Sequence, residues 1–299
     1  MNIDDIKTIG VLGGGLMGQG ISQSAILAGY KVICRDLTDE IVAKTMDNIA
    51  NGRFGLAGAV QRGKLTQEQA DKARALFAVT SKVEDLKNVD FMIEAIGGTT
   101  GVMEDKGVKI KVFGEMDKVV KKEAIFASNT SFFTIADLAA VTTRKDRFIG
   151  MHFFSPVPAM PLIELVRGAE TVDATEAEIR ELAAGLGKQV IVSRDRPGFI
   201  VNRVLMPYLA EAMRAYDEGL GSAEDIDAGV RHGLSNPMGP LELSDFIGLD
   251  VCLHVMEVLH EGFHQPQFAP PPILRQLVDA GYLGQKTGRG FYRYPREGS

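Results

Sequence analysis

His152 follows the apolar run Phe148-Ile149-Gly150-Met151, and Glu164 lies inside a second apolar run, Leu162 to Val166. Residues of this kind line protein interiors, where a carboxylate is costly unless it is paired. A lone histidine in such a place is commonly a satisfied core residue, so His152 alone leaves two readings open, core residue or proton carrier. Glu164, flanked by Ile163 and Leu165, needs a partner, and His152 is the simplest one. A carboxylate against one ring nitrogen fixes the tautomer and favours the imidazolium, as a general base requires. Two further polar groups could join such a pair. Ser128-Asn129-Thr130-Ser131 ends the strand-like run Ile125-Phe126-Ala127, and capping of a helix at Ile135 accounts for only some of these four. Asn202 sits among Ile200, Val201 and Val204 just past a linker, where its amide would face an interdomain cleft, a common place for a ligand.

The elements that would hold this chemistry begin at the N-terminus. Ile6 to Leu12 reads as a strand, followed by Gly13-Gly14-Gly15-Leu16-Met17-Gly18, a helix that stops at Gly29, and a second strand ending in Asp36. A G-x-G-x-x-G match alone is a weak signal. In the order strand, glycine loop, helix, strand, acid, it predicts a dinucleotide site: Gly13 for the tight turn, Gly15 for close approach to a pyrophosphate, Gly18 for close packing. Gly13, Gly15, Leu16, Met17 and Gly18 are the candidate cofactor contacts, with Asp36 placed to hold the adenosine ribose hydroxyls. A carboxylate there repels a 2′-phosphate, so NAD is expected over NADP, a preference that Arg35 tempers. Asn129, at the same rim of the sheet, joins the candidates.

Strands and helices alternate to about Ser193, including a long helix from Thr38 to Val60, a capped helix from Thr66, and a helix from Lys109 to Val120. Beyond the charged linker Ser193-Arg194-Asp195-Arg196-Pro197-Gly198 the strand pattern vanishes. Helices are expected over 199–218, 222–233, 239–263 and 272–280, and the Lys286–Tyr292 stretch is expected to pack back as an irregular strand. The fold class is therefore α/β, a Rossmann-type mostly parallel sheet over residues 1–193 with an all-α domain over 194–299. The net charge of −6, without a basic block, argues against a nucleic-acid surface. No apolar segment has the length of a membrane span, no signal peptide is visible, and Cys34 and Cys252 read as buried thiols, so a cytoplasmic protein is expected. His260 and His264 have metal-like spacing, but Gly262, Pro266 and the lack of further ligands argue against a metal site.

Gly13 to Gly18, Ser128-Asn129-Thr130-Ser131, Gly150-Met151-His152-Phe153-Phe154, Pro197-Gly198-Phe199-Ile200-Val201-Asn202-Arg203, Asn236-Pro237-Met238-Gly239-Pro240-Leu241 and Gly288-Arg289-Gly290-Phe291-Tyr292 span nearly the whole chain. With these motifs the sequence resembles the 3-hydroxyacyl-CoA dehydrogenases, most closely the short bacterial 3-hydroxybutyryl-CoA dehydrogenases. The resemblance implies that His152 exchanges a proton with the 3-hydroxyl while hydride passes between C3 and the nicotinamide. It implies that Glu164 orients the ring, and that Ser131 and Asn202 hold the reacting oxygen or the thioester carbonyl. It also aligns Glu104 with a family glutamate near the nicotinamide, and implies an acyl-CoA substrate and a homodimer built by the helical domain.

Four departures accompany the match. Ser155 stands where Asn is usual and Pro161 where Lys is common; Ala57-Gly58 replaces a Ser-Lys pair that meets the CoA phosphates; and Gly97–Val102 is inserted before Glu104. Arg53, Arg62 or Lys64 could replace the lost CoA contact, Arg53 and Lys64 being the substrate candidates. Two rival functions fit parts of the same pattern. The same fold could act on a non-CoA hydroxy acid or cyclic alcohol, as the changes at Ala57-Gly58 and Pro161 suggest. A nucleotide-binding protein without turnover is the other, disfavoured because His152, Glu164, Ser131 and Asn202 are all present.

Overall fold

The computed structural model describes residues 3–97 and 104–295, and the chain divides into two compact units, Met1–Arg196 and Pro197–Ser299. The inserted stretch thus lies, from residue 98 to its end, outside the described residues. In the first unit β1 (Thr8–Leu12), α1 (Leu16–Leu27), β2 (Lys31–Arg35), α2 (Asp39–Asn51), α3 (Leu56–Gln61), α4 (Gln67–Ala75) and β3 (Phe77–Thr80) build one half of a sheet. The other half comes from β4 (Phe91–Glu94), α5 (Lys106–Val119), β5 (Ile125–Ser128), α6 (Ile135–Ala139), β6 (Phe148–Phe153), β7 (Leu162–Arg167), α7 (Asp173–Gly185) and β8 (Gln189–Arg194). Strand order is β3-β2-β1-β4-β5-β6-β7-β8. β4, β5 and β6 are buried at every position, as strands covered on both faces must be. The order reverses between β1 and β4, which opens a crevice at their carboxyl ends.

The strand and helix alternation of the sequence does not carry strand direction. β1 to β6 are parallel, but β7 pairs antiparallel with β6, and β8 follows β7. Only Phe154 to Pro161 separate β6 from β7, too few residues for the crossover that a parallel pair requires. The return is what matters for the site: the antiparallel register sets His152 directly opposite Glu164.

Two long helices expected from the sequence are each broken by glycine. The 38–60 helix starts at its Thr38 cap, but Gly52 leaves helical geometry at ψ 168 and Gly55 caps the separate α3. A Cβ on Gly55 would stand 2.8 Å from the Asn48 and Ile49 carbonyl oxygens, so this tight reversal depends on glycine. The 239–263 helix divides at Gly248, where φ is 106°, into α10 (Pro240–Ile247) and α11 (Leu249–Phe263). With α8 (Val201–Asp217), α9 (Ala223–Gly233) and α12 (Pro272–Asp279), these helices make the second unit around Met206, Leu209, Leu241, Met256 and Leu259.

The Lys286–Tyr292 stretch forms no strand. It is a 3₁₀ turn with isolated bridges at Gly284–Arg289 and Arg289–Arg293. Buried Asp245 holds it instead, accepting from Phe291 N at 3.0 Å, Tyr292 N at 2.9 Å and Tyr294 Oη at 3.0 Å. A carboxylate with three donors fixes the backbone without a neighbouring strand. No helix among the described residues is long and apolar enough to cross a membrane.

Arg144 closes the far end of the sheet. It is 3% exposed, donates through Nε to Asp117 at 2.7 Å, and donates to the carbonyls of Asp117, Val120, Lys121 and Ala124. These include the unpaired carbonyls at the α5 C-terminus, which a cation suits. Burial alone would raise the Asp117 carboxyl; the bonds from Arg144 and Thr143 more than offset this and hold it below its ordinary value. Arg144→Met is expected to cost about 3–5 kcal/mol in urea unfolding, because a buried carboxylate loses its partner. A depressed carboxylate stabilises the fold above its unfolded pKa, and that contribution disappears as pH falls through its folded value. The acid side of the stability profile should therefore flatten in the variant.

Candidate active site

The glycine loop joins β1 to α1. Gly13 has φ 97°, and a Cβ there would meet Ala95 O at 2.7 Å; one on Gly18 would meet Gly13 O at 1.8 Å. Gly15 differs. It caps α1 without a side-chain bond, and a Cβ on it would meet nothing within 4 Å. The helix therefore presents its first N–H groups to open space, a cradle that a side chain would fill and that suits a pyrophosphate. Asp36 is fixed beside it, accepting from Gly14 N at 2.6 Å and Leu37 N at 2.7 Å. Gln19 and Thr45 brace the loop through the Gly14 carbonyl at 2.7 and 3.0 Å. Leu16 is exposed beside this cradle, whereas Met17 packs partly into the core. These residues fit an NAD molecule.

His152, Glu164 and Ser131 come together at the ends of β5, β6 and β7. His152 Nδ1 is 2.7 Å from Glu164 Oε2, and its Nε2 is 3.0 Å from Ser131 Oγ. Glu164 is fully buried and His152 nearly so. Phe154 packs on the imidazole with ring centroids 4.6 Å apart. With the carboxylate accepting from Nδ1–H, the neutral ring keeps a lone pair on Nε2, directed toward Ser131. Nε2 is thus the atom that can exchange a proton with a hydroxyl placed beside Ser131.

Asn129 serves the sheet: its Oδ1 accepts from Phe153 N at 2.8 Å, tying the end of β5 to that of β6. Glu104 accepts from Ser131 N at 3.1 Å and pairs with Lys109 at 3.1 Å. Lys109 also pairs with Glu94 at 2.5 Å, and both are almost wholly buried. Neither Glu94 nor Lys109 is among the site residues expected from the sequence. Glu94 carried a signal like that of Glu164, an acid adjoining a buried apolar run. Lys109 carried none, because its neighbours Lys106 and Lys111 give the helix the look of a solvated face. Burial pushes the Glu94 carboxyl up; burial would lower Lys109, but the two carboxylates outweigh it and hold the amine above its ordinary value.

A cavity of about 330 Å³ lies against α1 in the same unit. Gln19, Gln23, Asn48, Arg53 and Phe54 line it opposite Pro156–Pro158. Arg53 sits over the Phe54 ring at 5.6 Å. Lys64, in the exposed turn after α3, does not line this cavity. Asn202 stands half-buried in the first turn of α8, in the second unit. α11 stops at Phe263 and His264 turns left-handed, so His260 and His264 share no helix face. Among the described residues no three His, Cys, Asp or Glu side chains gather in a way that could hold a metal.

Known proteins share this plan. Residues 8–196 match the family profile described as 3-hydroxyacyl-CoA dehydrogenase, NAD binding domain, and residues 198–294 match its C-terminal domain. A 3-hydroxybutyryl-CoA dehydrogenase of Bradyrhizobium diazoefficiens is 47% identical over 289 residues, covering 97% of this chain and 96% of that one. One from Mycobacterium tuberculosis is 42% identical, covering 97% and 99%. The crystal structure of (S)-3-hydroxybutyryl-CoA dehydrogenase from Ralstonia eutropha matches with a TM-score of 0.91 at 44% identity, over 97% of this chain and 100% of that one.

Proposed function

The chain belongs to the 3-hydroxyacyl-CoA dehydrogenase family, and we propose that it oxidises short (S)-3-hydroxyacyl-CoA thioesters, 3-hydroxybutyryl-CoA first among them, and reduces acetoacetyl-CoA in reverse. One observation carries this reading: a buried His152–Glu164 pair in contact with Ser131, on the sheet that bears the dinucleotide loop. Bound NAD would supply the hydride acceptor for C3. His152 Nε2 accepts the 3-hydroxyl proton, while Glu164 holds Nδ1–H and favours the imidazolium that results. In reverse, the imidazolium gives that proton to the carbonyl oxygen as it becomes a hydroxyl. Ser131 Oγ orients the reacting oxygen at Nε2, and Asn202 is assigned to the thioester carbonyl. Gly15 and the α1 N-terminus hold the pyrophosphate, with Asp36 on the adenosine ribose; Leu16, Met17, Asn129 and Glu104 complete the proposed cofactor set.

The CoA arm is assigned to the cavity beside Arg53, with Lys64 as a second cation near the same helices. Purified protein should consume NADH with acetoacetyl-CoA and discriminate strongly against free 3-keto acids and cyclic ketones. Equal rates on the free acids would overturn the CoA assignment in favour of the non-CoA reading. Arg53→Ala should raise KM for acetoacetyl-CoA roughly tenfold, about 1.4 kcal/mol for one charge-assisted contact.

We assign the second unit to homodimer formation. It exposes Leu220 (81%), Val204 (68%), Leu234 (67%) and Phe246 (53%), apolar groups that a partner subunit would cover. Light scattering at micromolar concentration should give twice the chain mass; a single-chain mass would rule the dimer out.

A further inference from the structure

Glu94 and Ser128 are register partners at the carboxyl ends of β4 and β5, so their side chains rise on one face. Ser128 Oγ donates to Glu94 Oε2 at 2.6 Å and accepts from Thr130 N at 3.2 Å. Glu94 Oε1 takes Lys109 Nζ at 2.5 Å, and Lys109 pairs with Glu104 Oε2 at 3.1 Å. Glu104 Oε1 in turn accepts from Ser131 N at 3.1 Å. The Ser128–Ser131 turn is thus held at both ends, and both holds originate in one carboxylate. Lys109 is itself steadied by the Ile96 carbonyl at 2.9 Å.

A role in folding alone would not account for this choice of residues. Burial pushes the Glu94 carboxyl up, so keeping it ionised opposes folding. Two carboxylates share one ammonium, and an apolar cluster of similar volume would hold the sheet as well or better. What an apolar cluster cannot supply is a directional grip on the turn that carries Ser131. A buried charged network fixes geometry because each donor and acceptor has one place to go.

We propose that Glu94 is a positioning residue for the Ser131–His152 contact, acting through Ser128 on one side and through Lys109 and Glu104 on the other. The inference rests on the assignment of Ser131 and His152 to proton transfer. Its test is a double-mutant cycle on the full chain, with acetoacetyl-CoA reduction by NADH as the readout. Glu94→Gln should lower kcat roughly ten- to hundredfold, the scale of a misplaced reacting group. Introduced into Ser131→Ala, the same change should cost less than about threefold, because the group it positions is already gone. Ser128→Ala removes one hold only. It should show a smaller loss with the same non-additivity, and it serves if Glu94→Gln does not fold.

Losses that multiply across the cycle, or a Glu94→Gln protein at the parent rate, would overturn the inference while leaving the site assignment in place. A Ser131→Ala protein at the parent rate would overturn the site assignment and this inference with it.

Discussion

His152→Gln should lower kcat in both directions by roughly 10²–10⁴-fold while NADH binding stays near the parent value. That range is what a positioned proton carrier contributes. Glutamine keeps a donor toward Glu164, 2.7 Å from the present ring nitrogen, and a polar group toward Ser131, so the buried carboxylate is not orphaned. It has no ring nitrogen that can take up the substrate proton and give it back. Stopped-flow turnover in each direction, with NADH fluorescence titration for binding, provides the check. A variant within tenfold of the parent would remove His152 from the proton path. The glycine loop lies on β1 and α1, away from this change, which is why cofactor affinity is the control.

The pairing behind this prediction was legible because interiors rarely accept a carboxylate without a partner. Glu164 between Ile163 and Leu165 demanded one, and the two residues face each other across β6 and β7. The spacing alone could have suggested the strand direction. Eight residues between the strands cannot build a parallel crossover, so an antiparallel return was the only economical path. The glycine loop was legible for a similar reason: its order among strand, helix and acid has few other uses.

Other features were hidden because they depend on depth rather than pattern. The sequence around Lys109 reads Lys106-Gly107-Val108-Lys109-Ile110-Lys111, three similar cations, yet Lys109 alone is 2% exposed. Its burial is decided by Glu94 at the end of β4 and by Glu104 just before α5. The breaks at Gly52–Gly55 and Gly248 were obscured by apolar spacing that runs through them at helical period. Glycine tolerates a helix as well as it ends one, and tertiary contacts choose between the two. Cys34 and Cys252 are free thiols among apolar side chains, and burial raises each to about 12. They are inert packing groups rather than reactive ones.

Gly18→Ala should abolish measurable NADH binding at concentrations that saturate the parent, a loss of at least a hundredfold, about 2.8 kcal/mol. The added Cβ would lie 1.8 Å from Gly13 O, and a backbone oxygen cannot swing aside as a flexible side chain can. Gly13 cannot yield either. Its N–H is held by Arg35 O at 2.9 Å, and its own Cα faces Ala95 O too closely for any substituent. α1 must therefore move bodily away from the loop, taking its N-terminal N–H groups out of alignment, and the core beneath it should lose about 1–3 kcal/mol in urea unfolding. Gly15→Ala separates the ligand's requirement from that of the fold. Its Cβ meets nothing within 4 Å, so unfolding should be unchanged, yet NADH should bind far more weakly because the methyl occupies the space assigned to the pyrophosphate. If Gly15→Ala binds NADH like the parent, the pyrophosphate does not lie over Gly15. If Gly18→Ala does so, the loop is softer than its contacts require, and the close approach of α1 to Gly13 is not what shapes the cofactor site.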